Sequence, residues 1–295
     1  MTKDLKSRKP DLFNLLNTAG MLLICFITLY PIWYTLVMSL NDGKDAMLGW
    51  IYWWPRKFTL ENFMAVFRNS AIFRAFGVTI SRTLIATTLN VFFTAMVAYA
   101  YSKKALLGRK IYLTAGTITL FFSGGLIPTY LLIKQLGMLD KFIVYVIPTM
   151  FSFYNLIIMT SFFRTLPEAM EESAKIDGAN DLVIFSRIII PLSKPVLATI
   201  ALFVGVSNWN DFFMGVIYID NPNLRPIQTF LYRIVAENSS EVMQNMPAEI
   251  RNSSGVTSTS VKMATMIVTT LPIVCIYPFL QKYFVKGMMI GSIKG

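Results

Sequence analysis

Long apolar runs alternate with short polar ones along the whole chain. Residues 12–41, 83–102, 111–133, 142–163 and 263–281 contain no Asp, Glu, Lys or Arg. A helix that crosses the hydrocarbon core of a bilayer needs about 20 predominantly apolar residues, and each run is of that order. A sixth run, 195–219, is interrupted by a single charge, Asp211. The pattern therefore predicts six spanning helices, at about 14–40, 75–101, 111–133, 142–163, 195–219 and 263–281. Pro31, Gly124-Gly125 with Pro128, Pro148, Pro272 and Pro278 fall inside these spans. In a membrane such residues kink a helix while neighbouring helices satisfy the freed backbone groups. The expectation is one all-α integral membrane domain over residues 1–295, without an internal repeat.

Composition agrees and adds an orientation. The chain is 55% apolar and only 15% charged, with a mean hydropathy of +0.55, whereas soluble domains carry about 25% charged residues. A net charge of +11 on a soluble protein would suggest nucleic acid. Here its distribution matters more. The N-terminal tail, the 103–110 loop, the 164–194 segment and the C-terminal end are short and basic, and the predicted topology puts them on one side. Lys and Arg on the other side are spread over longer loops. The positive-inside rule makes that first side cytoplasmic, with both termini there.

The first apolar run is too long for a signal-peptide core and lacks a small-x-small cleavage pattern, so a retained span is expected. Cys25 and Cys275 fall in mid-span and read as buried apolar thiols. The chain has no His, which excludes a His-based metal site or catalytic triad. No Gly-x4-Gly-Lys-Ser/Thr phosphate loop is present either, so the chain is not expected to bind a nucleotide itself. Trp50, Trp53 and Trp54, beside Pro55, read as interfacial aromatics. The long polar 220–262 loop reads as flexible or partner-facing.

One charged segment interrupts this pattern. Residues 168–191 read EAMEESAKIDGANDLVIFSRIIIP. Thr165-Leu166-Pro167-Glu168 has the form of a capping box, and Glu168, Glu171 and Glu172 sit where the helix dipole favours negative charge. Ala169, Ser173 and Ala174 are small enough for another backbone to approach. Gly178 stops the helix as a residue tolerant of positive φ does. Asn180 or Asp181 can cap a second helix whose Leu182, Phe185, Ile188 and Ile189 form an apolar face. Pro191 and Pro195 bracket the return to the membrane. A short helix, a Gly turn and a second helix on the cytoplasmic face could pass movement from a docked partner to the spans.

The wording of this segment resembles a known family. Glu172-Ser173-Ala174, then Gly178 after three residues, then Ile188-Ile189-Ile190-Pro191 after nine more, is similar to the EAA loop of ATP-binding-cassette (ABC) importer permeases. That pattern is Glu-Ala-Ala-x3-Gly-x9-Ile-x-Leu-Pro; Ser173 and Ile190 depart from it in identity, not in spacing. Ile176-Asp177-Gly178-Ala179, Pro191-Leu192-Ser193-x-Pro195, Trp209-Asn210-Asp211-Phe212 and the ending Phe284-Val285-Lys286-Gly287…Gly291-x3-Gly295 resemble the carbohydrate-uptake branch, similar to the smaller maltose-transporter permease. Phe122-Ser123-Gly124-Gly125-Leu126-Ile127-Pro128-Thr129-Tyr130 resembles a sub-branch for complex and uronate-containing oligosaccharides.

The resemblance implies a type I ABC importer permease of the bacterial cytoplasmic membrane with six spans. It implies a homologous second permease, an ABC ATPase dimer that binds the ATP and Mg, an extracytoplasmic solute-binding protein and a carbohydrate substrate. On that reading the EAA loop, about 165–192, couples to the ATPase through Glu171, Glu172, Ser173, Ala174, Asp177, Gly178 and Pro191. The tail residues Gly287, Gly291 and Lys294 would reach the ATPase interface. No catalytic residue, metal or nucleic acid is implied.

The residues themselves point to a sugar path in the fifth span. Ser207-Asn208-Trp209-Asn210-Asp211 offers amides, a carboxylate and an aromatic face, the groups that bind sugars. A mid-span carboxylate costs on the order of 2.5–3.5 kcal/mol to insert, so Asp211 should face protein or water. Polar contacts between helices are the competing role, and the weaker candidates Asn90 and Asn155 share it. An ion-coupled secondary transporter would show more intramembrane carboxylates or His for coupling. A scaffold without transport is the other alternative.

Overall fold

The computed structural model describes residues 12–236 and 255–292; for residue 277 and residues 279–292 it describes the backbone alone. The described chain is helical, and its one β contact is an isolated antiparallel bridge between Asn41 and Phe58. In chain order the α-helices are α1 (Leu12–Ser39), α2 (Gly43–Met47), α3 (Glu61–Arg68), α4 (Ser70–Ser102), α5 (Arg109–Phe121), α6 (Leu126–Gln135), α7 (Phe153–Phe163), α8 (Glu168–Ile176), α9 (Asp181–Ile184), α10 (Ile190–Leu192), α11 (Lys194–Asn210), α12 (Phe213–Tyr218), α13 (Ile227–Ala236) and α14 (Ser258–Ser292). They gather into two compact units. One runs to Asn69 and resumes over Ile234–Val268; the other is Ser70–Arg233 and resumes at Thr269.

In the first unit α1 is apolar all round and exposes Leu12, Phe13, Leu22, Ile27 and Leu29; only Val37, Met38 and Ser39 at its end are buried. A helix with no polar face suits lipid or a partner helix. Pro31 sits inside α1 without ending it. The loop that follows is held by buried amides. Asn62 Nδ2 donates to the carbonyls of Ser39 (2.9 Å) and Asn41 (2.8 Å), and Asn41 Nδ2 donates to Asp45 Oδ2 (3.0 Å). Arg56 pairs with Asp45 at 3.0 Å. The predicted Trp cluster packs back on α1: Trp33 Nε1 donates to the Trp53 carbonyl (3.0 Å), and Trp54 meets Trp33 edge-on at 5.4 Å.

The second unit is built around α4, which packs along both α7 and α11. Their shared core is Ala95, Ala98 and Tyr99 from α4, Leu156, Met159 and Phe163 from α7, and Ile200 and Val204 from α11. Gly116 lets α5 approach α7 closely, because a Cβ there would lie 1.9 Å from the Phe153 ring.

Among the described residues, three continuous helical stretches are long and apolar enough to cross a membrane: Leu12–Ser39, Ser70–Ser102 and Ser258–Ile276. Two more apolar stretches are bent pairs, the first on the predicted 111–133 span and the second joining the charged loop to the start of the 195–219 span. α5 and α6 meet at 113°, where Gly125 has φ +82. The segment from Asp181 to Leu192 meets α11 at 80°. The 142–163 run is not one helix. A 3₁₀ turn (Phe142–Tyr145) and irregular chain precede α7. Pro148, which has no N–H to donate and whose ring crowds the preceding turn, interrupts it. The 195–219 run likewise divides at Asp211 into α11 and α12. Cys25 and Cys275 are exposed rather than buried, on apolar helical surface, and are unpaired. Gly287 and Gly291 belong to the backbone of α14 rather than to a separate tail, and Lys294 lies outside the described residues.

Candidate functional site

Two features of the second unit carry chemistry: a polar cavity beside α4 and the charged segment between α7 and α11. The cavity has a volume of about 390 Å³ and is lined by Arg82 and Asn90 from α4, Ser152 and Asn155 at the start of α7, and Ser207, Asn208 and Asp211 at the end of α11, with Phe151 and Phe203 among its apolar walls. Arg82 is fully buried, a rare state for a guanidinium on an apolar helix. Three groups compensate it. Its Nη2 donates to Asp211 Oδ2 at 2.7 Å, its Nη1 donates to the Asp211 carbonyl at 3.4 Å, and its guanidinium lies 4.5 Å from the centre of the Tyr145 ring.

Asp211 is not inside a helix, as the 195–219 span implied. It follows the last residue of α11 in an extended conformation, and its Oδ1 accepts the N–H groups of Phe213 (3.2 Å) and Met214 (3.4 Å). The carboxylate therefore joins two helix ends to α4. Across the cavity, Asn90 Nδ2 donates to the Thr149 carbonyl (2.7 Å) and Asn155 Nδ2 to Asn90 Oδ1 (3.5 Å). Asn208 donates within its own helix, to the Val204 carbonyl (2.9 Å).

Of the four expected sugar contacts, Asn208 and Asp211 line this cavity; Trp209 and Asn210 do not. Trp209 turns toward Phe76, at 6.4 Å between ring centres, and Asn210 is exposed. Asn90 and Asn155 both bond between elements and line the cavity, so the two roles weighed for them coexist. Arg82 was missed. It was legible only as a lone cation at the edge of an uncharged run, and its partner stands 129 positions away.

In the charged segment, α8 follows Pro167 with no side-chain cap. The expected capping box does not form: Thr165 Oγ1 donates backwards to the Phe162 carbonyl (2.7 Å) instead. Gly178 makes the turn with φ +82, and Asn180 caps the next helix by accepting the Val183 N–H (2.9 Å). That helix passes through one π-helical turn (Phe185–Ile189) before α10, which contains Pro191. Ile184, Phe185 and Ile189 are buried against α4 and α7, and Ile188 packs beside them. Leu182, expected on the same face, is 70% exposed, because the π turn changes the register.

The sequence matches a family of known proteins. The sequence pattern described as "Binding-protein-dependent transport system inner membrane component" matches residues 13–290. The chain belongs to that family. It is 38% identical to Protein LplC of Bacillus subtilis (strain 168) over 291 residues, covering 97% of this chain and 95% of LplC. It is 36% identical to the polygalacturonan/rhamnogalacturonan transport system permease protein YtcP of the same organism over 287 residues, covering 97% and 100%. Among solved structures, it superposes with a TM-score of 0.88 on a chain of a bacterial ABC transporter involved in the import of the acidic polysaccharide alginate. The identity is 28%, with 96% of this chain and all of that one covered. The protein is therefore an ABC importer permease subunit of the inner membrane with the type I fold; it is not the ATPase.

In the permease, α8 presents two faces. Glu171 turns inward, where it accepts from Lys103 just beyond α4, while Lys103 Nζ also lies 3.9 Å from the centre of the Tyr99 ring. Burial disfavours the charged form of Lys103, but the bonds to Glu171 and Tyr99 outweigh it and its pKa is raised. Lys104 pairs with Glu168 at 2.6 Å, which raises its pKa too. The outward face carries Glu172, Ser173, Ile176 and Asp177, all exposed; Ile176 is 87% so. Ala174 packs partly on the core beneath.

Proposed function

We propose that this permease carries a carbohydrate, an oligosaccharide or polysaccharide fragment, across the bacterial cytoplasmic membrane along a path that includes the α4/α7/α11 cavity. The observation that carries this reading is the lining: three amides, an Arg–Asp pair and aromatic walls around one water-accessible space. Amides and a paired carboxylate exchange hydrogen bonds with sugar hydroxyls, and apolar ring faces cover the C–H faces of a sugar. The names of YtcP and of the alginate transporter point to acidic polysaccharide fragments as the substrate class.

A single permease leaves the apolar surface of α1 uncovered, which suits the second, homologous permease of such importers. ATP and Mg belong to a separate ATPase dimer docked on residues 165–192, chiefly through Glu172, Ser173, Asp177 and the Gly178 turn, and an extracytoplasmic binding protein delivers the sugar. Six spans, with α7 as the shortest and both termini cytoplasmic, complete the topology; Gly287 and Gly291 then lie toward the ATPase side.

The test is uptake by the full complex in proteoliposomes, with galacturonate and neutral oligosaccharides as substrates. Asn90→Ala and Asn155→Ala should assemble and lose uptake. Wild-type uptake by both assembled variants would remove the cavity from the path.

A further inference from the structure

The segment between α7 and α11 reaches the cavity by two routes of different stiffness. The covalent route leads through α10 into α11, which carries Ser207, Asn208 and, just past its end, Asp211. It passes an 80° bend at Ser193, and a break of that size between two helices can absorb movement. The other route is not covalent. Lys103, immediately beyond α4, is held on Glu171 of α8 and on the Tyr99 ring. Both ion-pair partners are about three-quarters buried. Tyr99 in turn packs on Phe185, at 5.4 Å between ring centres. Arg164, just past α7, donates to the Tyr101 carbonyl (3.2 Å) at the same end of α4.

From this anchored end α4 runs without a Pro or Gly back to Asn90 and Arg82 in the cavity wall. At 1.5 Å per residue the distance from Ser102 to Arg82 is about 30 Å along one unbroken helix. At its far end Arg82 is bonded to Asp211, past the end of α11. The two routes therefore form a closed frame with one bend, one straight rod and one ionic joint at each end of the rod. Beside the packing of Phe185 on Tyr99, the Lys103 joint is the ionic link through which a displacement of α8 itself reaches the rod.

We propose that Lys103 is a positioning residue for transport: it ties α8 to α4, so that movement of the ATPase-docking segment reaches the cavity wall. This rests on the reading of residues 165–192 as the docking element. The joint has no part in the docking surface itself, since Glu171 faces inward and the exposed residues lie on the opposite side of α8.

The test uses the full complex, with both permeases and the ATPase dimer, in proteoliposomes supplied with binding protein and sugar. Lys103→Met, Lys103→Glu and the charge swap Lys103→Glu/Glu171→Lys are compared for ATPase co-purification, ATP hydrolysis and sugar transported per ATP. Lys103→Met and Lys103→Glu are expected to retain the ATPase and to hydrolyse ATP, while sugar transported per ATP falls by about tenfold, a typical coupling factor. The charge swap should restore the ratio, and retained ATPase binding and hydrolysis in the single variants separate this from a merely structural lysine, whose loss would lower assembly and hydrolysis as well. An unchanged ratio in the single variants, or a swap that fails to restore it, overturns the proposal. Loss of the ATPase from Lys103→Met also overturns it, by making the joint part of docking. Ala174→Trp tests the docking reading separately. If that variant binds the ATPase and transports normally, the docking reading itself has failed, whatever the Lys103 variants do.

Discussion

Removing Asp211 from beneath Arg82 should be among the most damaging single changes in the second unit. Arg82 has no exposure to solvent, and Asp211 supplies its ionic partner at 2.7 Å. Truncating one member of a buried pair leaves the other charge uncompensated, at a cost of about 3–5 kcal/mol. Insertion scales agree, since an unpaired Arg at the centre of a spanning helix costs about 2.5–3.5 kcal/mol. Asp211→Ala should therefore destabilise the permease by about 3 kcal/mol. The loss also includes the bonds from Asp211 Oδ1 to the N–H groups of Phe213 and Met214, which hold the start of α12.

Arg82→Met should cost less than Asp211→Ala, because it leaves behind a carboxylate that is still 24% exposed and still accepts two backbone N–H groups. The double variant Arg82→Met/Asp211→Asn should recover much of the stability, as replacement of whole buried pairs often does. The assay is a double-mutant cycle on the detergent-solubilised permease, read as denaturant-induced unfolding by fluorescence and size exclusion. Additive losses, with no interaction energy above about 0.5 kcal/mol, would refute the pairing. Uptake separates stability from function: a double variant that is stable but does not transport places the pair in the path as well as in the fold.

The other predictions rest on separate contacts. Gly178→Val should weaken the turn by about 1–3 kcal/mol, because φ +82 strains a β-branched residue although nothing else crowds the position; Gly178→Ala should show a smaller loss of ATPase co-purification, and equal behaviour of Gly178→Val and wild type would refute it. Gly116→Ala puts a Cβ into the Phe153 ring and should cost about 1–3 kcal/mol unless the ring swings away, which Gly116→Ala/Phe153→Leu should relieve; thermal unfolding of the two variants decides. The Asp45 carboxyl is held below its ordinary value by its bond from Asn41, against burial and with help from Arg56. A depressed carboxylate contributes stability that is complete above its unfolded pKa of about 3.9 and is lost as pH falls through the lower folded value. Fluorescence of the nearby Trp33 and Trp53 cluster should report this acid transition, and Asp45→Asn should remove it.

Much of this permease is legible along the chain because its strongest signals are local. Uncharged runs of spanning length follow from bilayer thickness, and α1, α4 and the apolar part of α14 appear where those runs lie. The Gly178 turn and the Asn180 cap depend on residues within a few positions of one another, so spacing alone announces them. The same spacing carried the family resemblance that the sequence comparison supports.

Where local rules compete, the fold chose between them. Thr165 could have capped α8 but bonds back into the turn before it, and the π turn after Ile184 moved Leu182 off the buried face. The 142–163 and 195–219 runs are apolar enough to span, yet Pro148 and the Arg82–Asp211 pair divide them, because hydropathy measures transfer to lipid and not helix continuity. The pairings that define the site were out of reach of the sequence alone. Arg82 meets Asp211 across 129 positions, Asn155 meets Asn90 across 65, and Glu171 meets Lys103 across 68. A one-dimensional pattern states that a polar group in an apolar helix needs a partner. Which group answers depends on how α4, α7, α8 and α11 turn toward one another, and side-chain packing between the helices settles that only in the folded molecule.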